Sequence, residues 1–196
     1  MIDTIVAKVK GFLASPVETF RNSKADEPSA VFTYFVALLL VSAVFSAIIA
    51  LLGINRMSSF SRMAAWTPHL VLVFFGVLIG GFILTLIFAA WLHLWAYILG
   101  ARQGIMQTVR VVLYGSTPWL LFGWIPYIGF IFMLWSLVLG VIGIGELQEL
   151  SSGKVVLAFV IAVLIPLIII FTIAMYFISS YAAVTSAIPM PPTNAM

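Results

Sequence analysis

Few side chains in this sequence could do chemistry. His93 lies between Trp91 and Trp95; Tyr114, Ser116 and Thr117 share one short run; Glu146 and Glu149 stand three apart, with Lys154 close behind. A serine paired with a histidine suggests nucleophilic hydrolysis, but Gly115, Ser116 and Thr117 form no G-x-S-x-G elbow and no further residue orients the base. A zinc protease needs H-E-x-x-H and an aspartyl protease two buried aspartates, and neither pattern is present. Glu146 and Glu149 could share a metal, yet two carboxylates in a solvated loop read more simply as a polar cap. As a proton relay His93 lacks a visible carboxylate partner; as a neutral imidazole bonded to Tyr114 or Ser116 it needs nothing more. His93, Tyr114, Ser116 and Thr117 are therefore expected to form an intramembrane polar cluster. No enzyme, cofactor or metal site is expected, and no phosphate-cradling glycine loop accompanies Ser151 and Ser152.

The elements that must position these groups follow from composition. Of 196 residues, 64% are apolar and 8% charged, with mean hydropathy +1.23, whereas soluble domains carry about 25% charged residues. A bilayer is the solvent that suits such a chain. Cysteine is absent, which removes disulfides, thiolate ligands and S-acylation together.

The charges fall in groups: before position 28, at Arg56 and Arg62, at Arg102 and Arg110, and from Glu146 to Lys154. About 20 helical residues cross a bilayer, so Ser29–Gly53 and Val155–Tyr181 are one span each. His69–Ala101 is long enough for one tilted span, centred on Val71–Tyr97. The stretch from Gln107 to Gly145 is interrupted by Gly123, Pro126 and Gly129, with Trp124 and Tyr127 flanking the break as interface aromatics do. It reads as a hairpin of two spans, Gln107–Trp124 and Tyr127–Gly145.

The expected fold is thus all-α: a polytopic membrane bundle of five transmembrane helices. Residues 1–28 form a cytoplasmic segment, 29–181 the membrane domain, and 182–196 an external Pro-rich tail. Odd span number places seven Lys and Arg on the N-terminal side against two, Arg56 and Arg62, on the other. Positive loops stay inside, so the N-terminus is expected in the cytoplasm and the C-terminus outside. The first span should act as an uncleaved signal anchor.

Within this frame, Ile2, Ile5, Val6, Val9, Phe12 and Leu13 recur at helical spacing while Lys8 and Lys10 face away, the layout of an interfacial amphipathic helix ending before Pro16. Gly76 with Gly80, and Ser136 with Gly140 and Gly143, present small residues for helix packing, inside the bundle first and in an oligomer second. Pro118 and Pro166 are expected to kink their spans. Scattered positive charge makes no nucleic-acid stripe.

His93 through Gly100, "QTVRVVLYGSTPWLL", "IPYIGFIFMLWSLVLGVIGIGELQEL" and "SSGKVVLAF" together resemble the Yip domain, named for Ypt-interacting proteins, in its shorter prokaryotic form. The resemblance rests on His93 ahead of a glycine turn, Tyr114 four positions before Pro118, Trp135, Gly143 to Glu146, and Lys154 opening the last span. Ser15, Pro16 and Phe20 are similar to the family's "P…F" start. It implies five spans, a cytoplasmic N-terminus and a non-catalytic role: eukaryotic relatives bind prenylated small GTPases of the Rab class and partner membrane proteins in vesicle traffic and membrane shaping. The relatives' DLYGP motif is not matched ahead of the first span, so GTPase binding is not carried over residue by residue.

Two functions follow. In the first, a non-enzymatic Yip-type protein organises partners or local bilayer shape, with Arg102, Arg110, Glu146, Glu149 and Lys154 contacting a partner or anionic headgroups. In the second, a transporter or lipid-translocating protein uses Tyr114, Ser116 and Thr117 beside the Pro118 kink.

Overall fold

The computed structural model describes residues 2–52 and 69–187, and every regular element among them is helical. Arg56 and Arg62, on which the outer side of the charge count rests, and the end of the Pro-rich tail lie outside these residues. α1 (Ile2–Ala14) and α2 (Pro16–Asn22) meet at Ser15, because Pro16 cannot continue α1 but is preorganised for the first turn of α2. Pro28 likewise starts α3 (Pro28–Leu51). α4 (His69–Phe75) runs through one π-helical stretch, Gly76–Gly80, into α5 (Gly81–Ile98). Gly100 and Gly104 then turn the chain at φ 113° and 87°, which a side chain rarely tolerates. α6 (Ile105–Gly115), α7 (Thr117–Phe122), α8 (Gly129–Gln148) and α9 (Ser152–Ala187) complete the described fold.

Among the described residues, four helices are long and apolar enough to cross a membrane: Pro28–Leu51, Leu70–Ile98, Gly129–Gln148 and Ser152–Tyr181. The stretch expected as a third span is instead broken at Ser116, into α6 of 11 residues and α7 of 6, neither long enough to cross alone. Pro118 is the cause. It has no N–H for the Tyr114 carbonyl four residues back, and the Thr117 hydroxyl donates to that carbonyl instead, at 2.5 Å. Across the break, Ser136 Oγ accepts the Trp119 backbone N–H at 3.0 Å, so Ser136 caps a neighbouring helix as well as offering a small surface. The turn from Gly123 to Ile128 joins α7 to α8, with Tyr127 at φ 66° and Trp124 stacked on Phe45 at 4.5 Å.

The chain divides into two compact units, Met1–Phe159 and Val160–Met196, the boundary falling within α9. In the second unit α9 continues helical past Tyr181 to Ala187, so the expected tail begins later than residue 182. Its apolar side chains from Leu167 to Tyr181 are exposed, as in a lipid-facing helix, and Pro166 sits inside it.

In the first unit the N-terminal segment departs from the flat interfacial helix expected. α1 and α2 fold back on one another, with Gly11 directly against Thr19 and Phe12 edge-on to Phe20 at 4.8 Å. Lys8 does not face away: it points into the same side as Phe12, one turn on.

Candidate functional site: the charged end of the bundle

Charged and polar residues from three distant stretches meet at one end of the first unit. α2 returns alongside the end of α8, so that the i, i+3 pair Arg21 and Lys24 meets the i, i+3 pair Glu146 and Glu149. Arg21 Nε donates to Glu146 Oε2 at 2.7 Å and its Nη2 to Oε1 at 3.3 Å. Lys24 pairs with Glu149, whose other oxygen accepts from Gln103 Nε2 at 2.8 Å. Glu149 sits in the left-handed region, φ 55°, at the end of α8. The hydrogen bond and charge of Lys24 hold its carboxyl below the ordinary value, while Glu146 raises the Arg21 guanidinium.

A more enclosed group lies beneath. Lys8 forms an ion pair with Asp26, donates to Ser23 Oγ at 3.0 Å and lies 3.3 Å from the Tyr114 hydroxyl. That hydroxyl donates to Asp26 Oδ2 at 2.5 Å. Arg110 Nε and Nη2 both donate to the Asp26 carbonyl, at 3.1 and 2.6 Å, and Gln107 Nε2 donates to the Lys24 carbonyl. Phe12 stacks on Tyr114 at 4.8 Å, and Tyr34 meets Tyr114 edge-on at 5.1 Å. Phe12, Phe20, Tyr34 and Tyr114 are all 2% exposed or less. The hairpin is therefore keyed into a slot between α3, α6 and α8 by two phenylalanines and closed over by ion pairs. Exposed pairs are worth about 0.2–1 kcal/mol each; they set register, and the aromatic packing fixes position.

The expected polar cluster separates into two. Tyr114 and Thr117 are joined through the Tyr114 carbonyl and, from Thr117 Oγ1, to the Tyr34 hydroxyl at 2.8 Å. Ser116 bonds only its own helix, at the Leu113 carbonyl. His93 belongs elsewhere: its Nδ1 lies 2.8 Å from Thr108 Oγ1, not beside Tyr114 or Ser116. The reason is register: Gly100 and Gly104 reverse the chain so that Thr108, near the start of α6, falls level with His93. Gln148 completes this second group, donating to Thr108 Oγ1 and to the Gly104 carbonyl, each at 2.9 Å, and accepting the Gln103 N–H at 3.2 Å.

The expected contact surface is also divided. Arg110 is 9% exposed and bound to the Asp26 carbonyl, which removes it from any outward face. Glu146 and Glu149 are engaged by α2. Arg102 and Lys154 remain on the surface; Arg102 donates to the Tyr97 and Ala101 carbonyls and lies over the Tyr97 ring at 4.2 Å.

Of the small residues, Gly143 lies against Phe20 and Val111, with room for no Cβ: one would stand 2.8 Å from each. Gly140 meets the Phe159 ring, and Gly115 the Gly140 backbone. At Gly76 and Gly80 no described residue comes within 4 Å of where a Cβ would stand.

Lys8, Arg21, Lys24, Asp26, Gln103, Thr108 and Gln148 entered no candidate site from sequence. The matched i, i+3 spacing of opposite charges was the readable signal for Arg21, Lys24 and their partners; nothing local marks Thr108 or Gln148. The family model described as Yip1 domain matches residues 10–185. No curated protein and no solved structure matches the chain.

Proposed function

The chain belongs to the Yip1 domain family, and from that premise we propose that it is a non-enzymatic membrane protein of Yip type that organises protein partners or local bilayer shape. It crosses five times, α6 and α7 together making a broken third span, with the N-terminus in the cytoplasm. The observation that supports this reading is the folded hairpin α1–α2, whose ion pairs with α8 and aromatic key build one firm surface from chain segments far apart in sequence. Tyr114 and Thr117, which a transport path would need to expose, are fully enclosed and bonded to neighbours.

On that surface Arg102 and Lys154 are the outward cations for a membrane-protein partner, a small GTPase or an anionic headgroup. Charge reversal of both, Arg102→Glu with Lys154→Glu, is expected to reduce recovery of crosslinked partners from native membranes severalfold while leaving insertion unchanged. Unchanged recovery rejects the contact. In parallel, purified protein in vesicles is expected to add no solute flux and no lipid scrambling over empty vesicles; turnover would establish the transporter reading instead.

A further inference from the structure

We infer that the α1–α2 hairpin is a re-entrant wedge, inserted among the acyl chains of the leaflet at the charged end and stopping within it. The inference rests on the membrane-shaping half of the function proposed above and gives it a physical element.

The register shows the hairpin's direction. Lys8 reaches Ser23, Gly11 faces Thr19 and Phe12 meets Phe20, an antiparallel pairing whose bend falls at Ser15. α2 then runs beside the end of α8, Phe20 at Gly143, Arg21 at Glu146, Lys24 at Glu149. Six residues of helix separate the bend from Arg21, which sets it about 9 Å below the Arg21–Glu146 level. Leu13 agrees: it shares an apolar groove of about 430 Å³ with Ile131, Phe132, Leu134, Trp135 and Val138, and Val138 is eight residues before Glu146, roughly 12 Å deeper along α8. Half a hydrocarbon core is about 15 Å, and amphipathic elements settle about 5–10 Å into the headgroup and acyl boundary. The hairpin has the reach of one leaflet and no more.

Its chemistry fits that depth. Gly11 to Val17 carries no charge between Lys10 and Glu18. At the bend, the Ser15 N–H donates to the Gly11 carbonyl at 2.8 Å and the Ser15 carbonyl accepts from Thr19 Oγ1 at 2.8 Å, so both backbone groups of Ser15 are met. Ala14 and Val17 are exposed. The outer side of this tip, carrying Ala14 and Val17, is uncharged, lies below the ion pairs and is not covered by other described protein, a surface for acyl chains.

The chain has no cysteine, so single-cysteine variants of the full-length protein can carry spin labels in phosphatidylcholine–phosphatidylglycerol vesicles. Labels at Val17→Cys and Ala14→Cys are expected to collide readily with oxygen and severalfold less with a water-soluble nickel chelate than a label at Asp3→Cys. Chelate access equal to that at Asp3 places the tip in water and overturns the proposal. Protection from both probes overturns it too, since the tip is then covered by protein. Vesicle diameter on reconstitution, read on the wild type, tests the shaping role separately: a lipid signature with unaltered diameter rejects shaping and leaves the insertion standing.

Discussion

The Tyr114 hydroxyl donates to Asp26 at 2.5 Å and lies 3.3 Å from Lys8, so one neutral oxygen sits between the two charges that hold the N-terminal hairpin. Tyr114→Phe keeps the ring stacked on Phe12 and removes only that oxygen. A hydrogen bond to a charged group is worth about 1.5–3 kcal/mol, and the variant is expected to lose about 2 kcal/mol in denaturant unfolding followed in detergent; an unshifted midpoint would contradict the bond. Glu149 supplies the pH-dependent counterpart. Lys24 and Gln103 hold its carboxyl below the ordinary value, so its contribution is complete above the unfolded carboxylate range and is lost as pH falls through the lowered folded value. The difference in unfolding midpoint between wild type and Glu149→Gln is therefore expected to be constant near neutrality and to close on acidification below about pH 4. A difference that widened with acid would reverse the assigned sign.

At the scale of elements, glycine decides which helices approach closely. A Cβ on Gly143 would stand 2.8 Å from both Phe20 and Val111, so Gly143→Ala presses α8 away from α2 and α6 together. Overpacking of this kind costs about 1–3 kcal/mol, and the thermal midpoint in detergent is expected to drop accordingly. Gly76→Ala is the control: with no described neighbour in reach it should leave the midpoint unchanged or raise it, since alanine favours a helix over glycine, and equal destabilisation by both would mean that the close approach at Gly143 is not responsible. The same scale explains the divided third span. Pro118 was legible as a kink, and the Thr117 hydroxyl serves the freed Tyr114 carbonyl from three residues away, but that Ser136 Oγ would accept the Trp119 N–H depends on a neighbouring helix and could not be read locally.

For the whole molecule, charge position along the chain predicts sidedness; the contacts of Arg21 with Glu146, Lys24 with Glu149 and Arg110 with the Asp26 carbonyl bring members of three charge groups to one end of the first unit. The five crossings proposed above predict termini on opposite sides of the membrane. Alkaline phosphatase fused after Met196 is expected to be active, and a fluorescent protein there dark. A bright cytoplasmic fluorophore would make the number of crossings even and exclude α6–α7 as a span.

The sequence alone determined the solvent, the helical class and most helix positions, because hydropathy over some twenty residues and the punctuation of proline and glycine are local properties. Pro16 and Pro28 each begin a helix, where proline's fixed φ and missing N–H are tolerated. Only the tertiary structure decided what Lys8, Arg110 and His93 do. A lysine on an amphipathic helix reads as solvated until Asp26 and Tyr114 arrive from elsewhere; Arg110 reads as a loop charge until the Asp26 carbonyl caps it; and His93 finds Thr108 rather than Ser116 because two left-handed glycines set the register between α5 and α6. Partner choice for a polar side chain is a long-range property, fixed by which helices meet and at what height.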